Sequence, residues 1–526
     1  MSELVLYNAN IHTLDAQQPL AQAIALRDNT ILALGDNAAM RALLPAAEAI
    51  DLGGRCVIPG LIDAHLHAEW IALGLKNIDA ETPTLDELLR RVAERAAITP
   101  KGQWLRGHGW NQNVWGGTFP SKADLDRVAP EHPVYLTAKS GHAGWANSIG
   151  LKLAGITAGT VDPANGEIVR DLHGEPTGIF FEDAMKLIET KLPDIRPHQV
   201  ADAMHDMLPL MHRAGLTGVH DFDGARALHA WQILKERGEL KLRVSKTIPV
   251  ALLPHAIALG VRSGFGDDWL RLNSVKAFAD GALGPQTALM IEPYEGSTTN
   301  RGIAVTDKEE MFENVRKASA AGLSSTIHAI GDKATHDVLD VFAAVRAEES
   351  TARLRHRIEH VQLLHPDDFN RLGQLNVIAS MQPIHATSDM LIADKYWGQR
   401  SAGAYAWRTQ LNAGATLAFG SDAPVESFNP FWGIHAAVTR RRTDGSPAPD
   451  GWYPAQRLTV DEAVRGFTLG AAYASYEEQR KGSLTPGKLA DLIVLDRDIY
   501  TIEPMAIAET QVLATVIDGQ FVYRVI

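Results

Sequence analysis

Short runs of apolar and β-branched residues recur along the middle of the chain, and helical patterns lie between most of them. The runs are 57–62, 216–222, 242–250, 272–278, 324–330, 356–361, 377–382 and 416–420. A helix is indicated, for example, over 201–214, where four apolar residues share one face and Gly215 provides a C-terminal stop. Since each parallel strand needs a long crossover, the alternation predicts an α/β fold, a (β/α)8 TIM barrel. An open doubly wound sheet would more often carry a Gly-rich phosphate loop after its first strand, and none is present.

Both ends of the chain have a different residue pattern, in which short strand-like runs are separated by turn residues. Strand-like runs occur at 4–7, 23–26 and 30–34, and again at 490–495, 512–517 and 521–523. An Asp518-Gly519 turn signal separates the last two. The pattern predicts one composite β-sandwich domain from both termini, comprising residues 1–56 and 478–526.

One gap interrupts the barrel pattern, because about 150 residues separate the first candidate strand from the second. A connection of that length should have its own structure. Residues 69–197 are therefore predicted to form an inserted α+β subdomain, which leaves 57–68 and 198–477 for the barrel. Thr84 opens a capped helix inside it, and an insertion after a barrel strand is expected on the active-site face.

Composition narrows the class of protein. The 526 residues include 50 Lys+Arg and 63 Asp+Glu, which gives a formal charge of −13. This balance argues against nucleic acid or an anionic membrane as a partner and favours a small-molecule substrate. The single Cys excludes an internal disulfide, and the early Glu3 and lack of a long apolar run do not fit a secretory signal or a spanning helix. A soluble, cytoplasmic protein is expected, and a homodimer is compatible with the sequence.

The strongest chemical motif stands at the end of the first barrel strand. Residues 59–67 read Pro-Gly-Leu-Ile-Asp-Ala-His-Leu-His. Side chains two apart on a strand point to the same side, so His65 and His67 can face one metal ion. The position at a strand end is what makes this pair a candidate, since His-x-His alone is common among 20 His.

Three further strand ends carry groups that can bind metal. The fifth strand ends with His328, the sixth with His360 and the eighth with Asp422, while Lys276 lies in the fourth. A buried, charged and unpaired lysine is costly. Lys276 is therefore predicted either to carry carbon dioxide as a carbamate that bridges two ions, or to pair with a nearby carboxylate such as Asp280.

These motifs in this order resemble the amidohydrolase superfamily, and the resemblance covers nearly the whole chain. Within it, the chain is similar to the large-insertion branch that includes N-substituted formamide deformylases. The terminal segment 487–495 (Gly-Lys-Leu-Ala-Asp-Leu-Ile-Val-Leu) supports the superfamily resemblance. The branch resemblance is carried by the long insertion and by 140–147 (Ser-Gly-His-Ala-Gly-Trp-Ala-Asn), 279–284 (Ala-Asp-Gly-Ala-Leu-Gly), 327–332 (Ile-His-Ala-Ile-Gly-Asp) and 357–360 (Arg-Ile-Glu-His).

The resemblance implies a hydrolase with two divalent metal ions, most often zinc, that acts on carbon–nitrogen bonds other than peptide bonds. It places His65, His67 and Asp422 on one ion, His328 and His360 on the other, and Lys276, carboxylated at its side-chain nitrogen, between them. Two close ions lower the pKa of a shared water, so a bridging hydroxide attacks an N-acyl or N-formyl amine. Asp422 is then the expected proton acceptor and donor, with Lys276 as the second catalytic residue.

Substrate contacts are predicted from the branch motifs and from position. The candidates are His142, Trp110, Gln382, His385 and Asp332. The chain departs from the branch at Pro285-Gln286, where a Ser-Arg pair is expected, so one cation near the site is missing. Cys56 precedes the His pair by nine residues, which indicates a buried hydrophobe rather than the bridging thiolate of D-aminoacylase-like relatives.

Two other functions stay open from the sequence. One is a mononuclear-metal deaminase of a heterocycle, in which Lys276 is structural. The other is a non-catalytic binding protein that has kept the barrel, which the presence of all six candidate ligands disfavours.

Overall fold

The computed structural model describes residues 2–139, 142–164, 166–348 and 354–526. Two compact units are present, one made of Met1–Trp70 and Met204–Ile526 and the other of Ile71–Ala203. Across the described residues, every helix is too short or too polar to pass through a lipid bilayer.

A sheet built from both ends of the chain belongs to the first unit. Its strands are β1 (Glu3–His12), β2 (Leu20–Ala21), β3 (Ala23–Arg27), β4 (Thr30–Gly35), β5 (Glu48–Pro59), β21 (Leu492–Leu495), β22 (Val512–Ile517) and β23 (Gln520–Arg524). The order is β23-β22-β21-β5-β1-β3-β4, with β2 paired to β1. Strand β5 is central, because it runs parallel to β1 and antiparallel to β21. Apolar residues of β1, β3, β5, β21 and β22 form one core, and helix α1 (Asn37–Leu43) packs on the other face.

The same unit contains a parallel barrel, as the alternating pattern predicts. Its strands are β6 (Leu61–Leu66), β13 (Leu216–Asp221), β14 (Arg243–Pro249), β16 (Leu270–Phe278), β17 (Ser324–Ala329), β18 (Arg357–His360), β19 (Ile378–Met381) and β20 (Leu417–Phe419), with β15 (Phe265–Gly266) antiparallel on its edge. Beyond β20, the N–H of Asp422 donates to the carbonyl of His65 at 2.7 Å, and the N–H of His67 donates to Ala423 at 2.8 Å. These two bonds join the end of the last strand to the end of the first.

The first predicted barrel strand, 57–62, proves to be parts of two strands. Residues 57–59 finish β5 in the terminal sheet, and β6 begins at Leu61. Gly60 lies between them, where a Cβ atom would stand 2.2 Å from the Thr217 side chain. A continuous apolar run hides such a break, because both halves are buried and only the glycine marks the change of sheet.

Helices connect the barrel strands. They are α7 (Pro197–Arg213), α8 (Ala225–Glu236), α9 (Leu253–Ala258), α10 (Lys308–Ala320), α11 (Asp332–Glu348), α12 (Arg371–Gln374), α13 (Pro383–Trp397), α14 (Trp407–Asn412), α15 (Pro430–Thr439), α16 (Val460–Arg465) and α17 (Ala471–Ala474). Thr459 and Glu462 form a capping box at the start of α16. A buried ion pair ties the barrel to the terminal sheet: the guanidinium of Arg243 in β14 donates to both carboxylate oxygens of Asp491, at 2.5 and 2.8 Å.

The second unit is an α+β structure around a six-stranded sheet. Its strands are β7 (Ile78–Asp79), β8 (Leu105–Trp110), β9 (Val134–Ala138), β10 (Ala143–Ala146), β11 (Gly166–Arg170) and β12 (Pro176–Glu182), in the order β11-β12-β10-β9-β8-β7. Its helices are α3 (Leu85–Ile98), α4 (Lys122–Val128), α5 (Ser148–Ala154) and α6 (Lys186–Glu189), and α2 (Ala68–Lys76) spans the boundary of the two units. Thr84 caps α3 through the N–H of Glu87, as predicted.

Candidate metal centre

The two histidines of the first motif reach one carboxylate. His65 lies in β6 and His67 directly after it, and the Nε2 atom of each is 3.4 Å from Oδ1 of Asp422. Asp63 organises the motif, since its Oδ1 accepts from the N–H of His65 at 3.0 Å and of Ser421 at 3.1 Å. Burial raises the pKa of this carboxyl to about 7. The ends of β6 and β20 are thereby held in one register.

The predicted groups from the other strands converge on the same place. The rings of His360 and His65 are 5.1 Å apart between centroids, and those of His360 and His328 are 4.6 Å apart. Ligand atoms of His65, His360 and Asp422 all lie within 4.8 Å of one another, and the three residues are buried. Barrel strands that end at one face thus bring residues from 65 to 422 into a single cluster.

Two members of this cluster have unusual backbone conformations. His360 has a φ of 76° and Asp422 a φ of 60°, in the left-handed region that residues other than glycine rarely adopt. Each such residue costs on the order of 1–3 kcal/mol. The surrounding hydrogen bonds therefore hold both side chains in place against a local preference for another backbone geometry.

Three histidines are oriented through their Nδ1 atoms. Nδ1 of His65 lies 2.6 Å from Oε2 of Glu359. The Nδ1 atom of His67 is 3.0 Å from Oδ1 of Asp223, and that of His360 is 2.8 Å from Oε1 of Gln382. Such partners fix the tautomer and leave Nε2 as the ligand atom. His328 differs, since its Nε2 is 2.8 Å from the carbonyl of Gly281.

Two carboxylates outside the predicted site residues, those of Asp223 and Glu359, support the histidines. Both are buried, and each lies at or just beyond the end of a barrel strand. Lys246 supports the first, because its ammonium group donates to the carbonyls of Asp221, Asp223 and Thr247. The available signal in the sequence is a carboxylate in or just after a predicted barrel strand.

Lys276 is buried among aromatic rings. Its Nζ is 4.6 Å from the ring centroid of Phe278 and 5.0 Å from that of Phe222. Among the described residues no carboxylate lies within ion-pair distance of it, and Asp280 instead accepts from the N–H groups of Leu289, Ile330 and Gly331. Burial lowers the pKa of Lys276 to about 8, which increases the fraction of neutral amine near neutral pH.

Burial and neighbouring charge set the protonation of the other groups. Burial lowers the pKa of His65 to about 4 and that of His328 to about 3. Burial opposes the charge of Asp422, yet the nearby His65 and His67 hold its pKa well below the usual range. For His67, hydrogen bonds to Asp223 and Asp422 outweigh burial and raise the pKa to about 9.

A cavity of about 340 Å³ opens on these groups. Its wall includes Phe278, Leu283, Ile330 and Val425 beside the His and Asp cluster, and Trp70 stacks on His67 with 4.6 Å between ring centroids. Carboxylates of Asp389 and Glu426 also line it. Imidazole nitrogens and an ionised carboxylate together form a donor set that fits a divalent ion such as zinc.

The predicted substrate contacts lie in different surroundings. His385 lines the cavity, and its buried Nε2 is 3.9 Å from Oδ2 of Asp422 with no hydrogen-bond partner among the described residues. Gln382 holds His360. Asp332 is buried, and its Oδ1 accepts from the N–H groups of Ile291 and Lys333, which indicates a loop-organising role.

The two candidates in the inserted unit differ in exposure. Trp110 is completely buried in the core of that unit, and its indole N–H donates to the carbonyl of Leu136 at 3.0 Å. His142 is exposed, with Nδ1 3.0 Å from Oε1 of Glu182. Ser140 and Gly141 of the same motif lie outside the described residues. Packing accounts for Trp110, and the substrate roles of both residues stay predictions.

The chain is similar in sequence and in fold to known proteins. The model of the amidohydrolase family matches residues 48–523. The chain is 33% identical to Protein LONG AFTER FAR-RED 3 of Arabidopsis thaliana, over 99% of this chain and 92% of that protein. It is 31% identical to N-substituted formamide deformylase of Arthrobacter pascens, over 100% and 99%. An uncharacterized metal-dependent hydrolase from Pyrococcus furiosus superimposes with a TM-score of 0.79 at 29% identity, covering 95% of this chain and 100% of that one.

Proposed function

Because the chain belongs to the amidohydrolase family and is a hydrolase, we propose that it cleaves a carbon–nitrogen bond of amide type in an N-acyl or N-formyl amine. The observation that carries the proposal is the buried convergence of His65, His360 and Asp422 within 4.8 Å at the floor of an apolar cavity. The relative from Arthrobacter pascens is named a formamide deformylase, which favours this bond among those that hydrolases break.

The residues present suit two divalent ions, proposed to be zinc. His65, His67 and Asp422 would hold one and His328 and His360 the other, with Lys276 bridging them as a carbamate. The buried amine with no ion-pair partner among the described residues supports this role, since a neutral amine can add carbon dioxide. When bound, the ions would lower the pKa of a water and polarise the substrate carbonyl.

Asp422 is proposed to move the proton. Its low pKa keeps it ionised, so it can accept a proton from the attacking water as the water oxygen bonds to the carbonyl carbon. As the C–N bond breaks, the same carboxyl gives that proton to the departing nitrogen, and a carboxylic acid and an amine result. His385, whose Nε2 is 3.9 Å from Oδ2 of Asp422, is proposed to contact the substrate beside that carboxylate.

The cavity wall indicates what kind of group accompanies the amide. Phe278, Leu283, Ile330 and Val425 offer apolar surface, while the carboxylates of Asp389 and Glu426 line the same cavity and would repel an anionic substrate. The absence of Arg at Pro285-Gln286 agrees with this. A neutral or amine-bearing substrate with an apolar substituent is therefore proposed.

One observation favours the mononuclear deaminase as a second candidate. The three-residue group whose ligand atoms converge contains His65, His360 and Asp422, whereas Nε2 of His328 is directed at the carbonyl of Gly281. A single ion with Lys276 in a structural role would use that group alone.

Products and the state of Lys276 separate the two candidates. Metal-loaded protein is assayed on N-formyl amines, N-acyl amines and amino-substituted heterocycles, with Asp422→Asn as the test variant and the exposed Asp367→Asn as control. Release of carboxylate and amine, lost by at least about 100-fold in Asp422→Asn, is expected. Carbon-13-labelled carbon dioxide should give a carbamate signal that Lys276→Arg lacks. Ammonia release from heterocycles without that signal would establish the deaminase instead.

A further inference from the structure

A second group of metal-binding side chains lies outside the barrel, in the sheet made from the chain ends. His12 is the last residue of β1, Cys56 belongs to β5, and Asp498 follows β21. An imidazole nitrogen, the thiol sulfur and a carboxylate oxygen of these residues all lie within 4.8 Å of one another. Sheet register brings them together, because Cys56 stands opposite Asn10 of β1 and Leu495 of β21.

The spacing suits ligands of one ion. Nε2 of His12 lies 3.2 Å from both carboxylate oxygens of Asp498. Ligands about 2.0–2.3 Å from a tetrahedral zinc ion are themselves about 3.3–3.8 Å apart. A small movement of the thiol therefore completes a three-ligand set of sulfur, nitrogen and oxygen, which zinc and similar ions accept.

Each of the three groups is oriented by a neighbour. The ring of Tyr500 stacks on His12, with centroids 3.8 Å apart and planes 10° from parallel. Asp498 accepts from the side-chain amide of Asn10 and from the N–H of Tyr500, both at 3.0 Å. The N–H of Ile499 points at the Cys56 sulfur. Such supporting contacts are typical of metal sites, where they fix the ligands before the ion binds.

Access is available from one side. Cys56 is buried, whereas the side chains of His12 and Asp498 are 16% and 14% exposed. Solvent can thus deliver an ion and provide a fourth ligand. Burial raises the pKa of the Cys56 thiol, and the Asp498 carboxylate raises it further, so a bound cation would displace the thiol proton.

We propose that His12, Cys56 and Asp498 bind a zinc-like divalent cation, with water as fourth ligand, and that this ion clamps the first strand to a segment 486 residues later in the chain. The site is separate from the barrel centre and uses none of its residues. The competing explanation is a metal-free hydrogen-bond cluster in which the thiol donates to Asp498.

Cobalt distinguishes these explanations, because sulfur bound to Co²⁺ gives a charge-transfer absorption in the near ultraviolet. The chain has 1 Cys, so this band can arise from Cys56 alone. Full-length protein is stripped with a chelator, shown to be folded by circular dichroism, and titrated with Co²⁺ and then Zn²⁺. We expect the band in wild type and in His65→Ala, its complete loss in Cys56→Ser, and one fewer bound ion in that variant. No band in folded, cobalt-saturated wild type, or unchanged metal content in Cys56→Ser, would overturn the proposal.

If Cys56→Ser fails to fold, the proposal can still be tested with variants that retain the thiol. In His12→Gln and Asp498→Asn, Co²⁺ affinity measured from the band should fall at least about tenfold, the lower limit seen even for supporting residues of metal sites. The exposed His205→Gln serves as the matched control and should titrate like wild type. Equal affinities in all four proteins would show that Cys56 binds cobalt without His12 and Asp498, which would overturn the proposed three-ligand site.

Discussion

Asp223→Asn should weaken metal binding at the barrel centre while preserving the shape of the side chain. Oδ1 of Asp223 is 3.0 Å from Nδ1 of His67, and Oδ2 accepts from the N–H of Glu69 at 2.6 Å. If the amide oxygen of the new Asn side chain accepts from the N–H of Glu69, its NH₂ group faces Nδ1 of His67. The imidazole proton then moves to Nε2, the atom directed at the metal position, and blocks it. If the amide takes the opposite orientation, its NH₂ group faces the N–H of Glu69, and neither of these two donors has an acceptor there.

The expected size follows from the loss of this support. Partners of metal-bound histidines contribute roughly 10–100-fold in affinity, or about 1.4–2.8 kcal/mol. The assay is competition for Zn²⁺ against a chromogenic chelator in the Cys56→Ser background, so that the barrel centre alone is titrated. Activity at saturating zinc should recover in part, because His67 can still bind once the ion displaces its proton.

A matched control is available in the same cavity. Oδ2 of Asp389 accepts a hydrogen bond from the hydroxyl of Tyr405 at 2.5 Å, and among the described residues Asp389 has no hydrogen bond to a candidate metal ligand. Asp389→Asn should therefore bind zinc like the parent protein. The reasoning is refuted if folded Asp223→Asn binds zinc within about twofold of the parent. It is also refuted if both variants lose the same affinity, since a general change in cavity charge would then explain the effect.

Three further outcomes are expected. Lys276→Ala should abolish turnover, and short carboxylic acids should restore part of it by replacing the carbamate; no rescue at any concentration would argue for a structural lysine. Asp491→Asn should destabilise the fold by about 3–5 kcal/mol in denaturant unfolding, since it removes the buried carboxylate that pairs with Arg243 and leaves that guanidinium the more exposed Asp518 carboxylate; a change below about 1 kcal/mol would contradict this. Metal-free protein should lose stability as the pH falls from 6.5 to 4, because burial lowers the folded pKa of His65, His220, His328 and His360, so the unfolded chain binds protons first at these four groups. The buried carboxyls Asp63, Asp223 and Asp280, whose raised pKa acts in the opposite direction, are fewer; equal unfolding midpoints at both pH values would exclude this loss.

The barrel and the candidate ligands were predictable because both follow from order along the chain. Strand-like runs alternate with helices, and polar residues at the ends of such runs meet at one face of a parallel barrel. The grouping of His65, His360 and Asp422 therefore follows from the sequence alone. The amidohydrolase resemblance, confirmed by the family match over residues 48–523, supplied the same residues independently.

The supporting residues could not be predicted in the same way. Asp223 contacts His67 although 156 residues separate them in the sequence, and Gln382 contacts His360 across 22 residues. Local sequence patterns do not reveal contacts between residues so far apart. The break at Gly60 was missed because a buried strand of either sheet is apolar throughout. Cys56 was expected to be a buried hydrophobe; it is buried, but its neighbours His12 and Asp498 come from other strands.

Strand β5 carries a consequence for the order in which the chain can fold. One edge of β5 pairs with β1, and both strands lie within the first 60 residues. The other edge pairs with β21, which is synthesised only after the whole barrel. Until then a nascent or truncated chain presents an open apolar edge at Val57 and Ile58, and such edges recruit strands from other molecules. The last 50 residues thus protect the first 60 from aggregation by covering this edge. A chain that lacks them should aggregate instead of folding into a smaller enzyme.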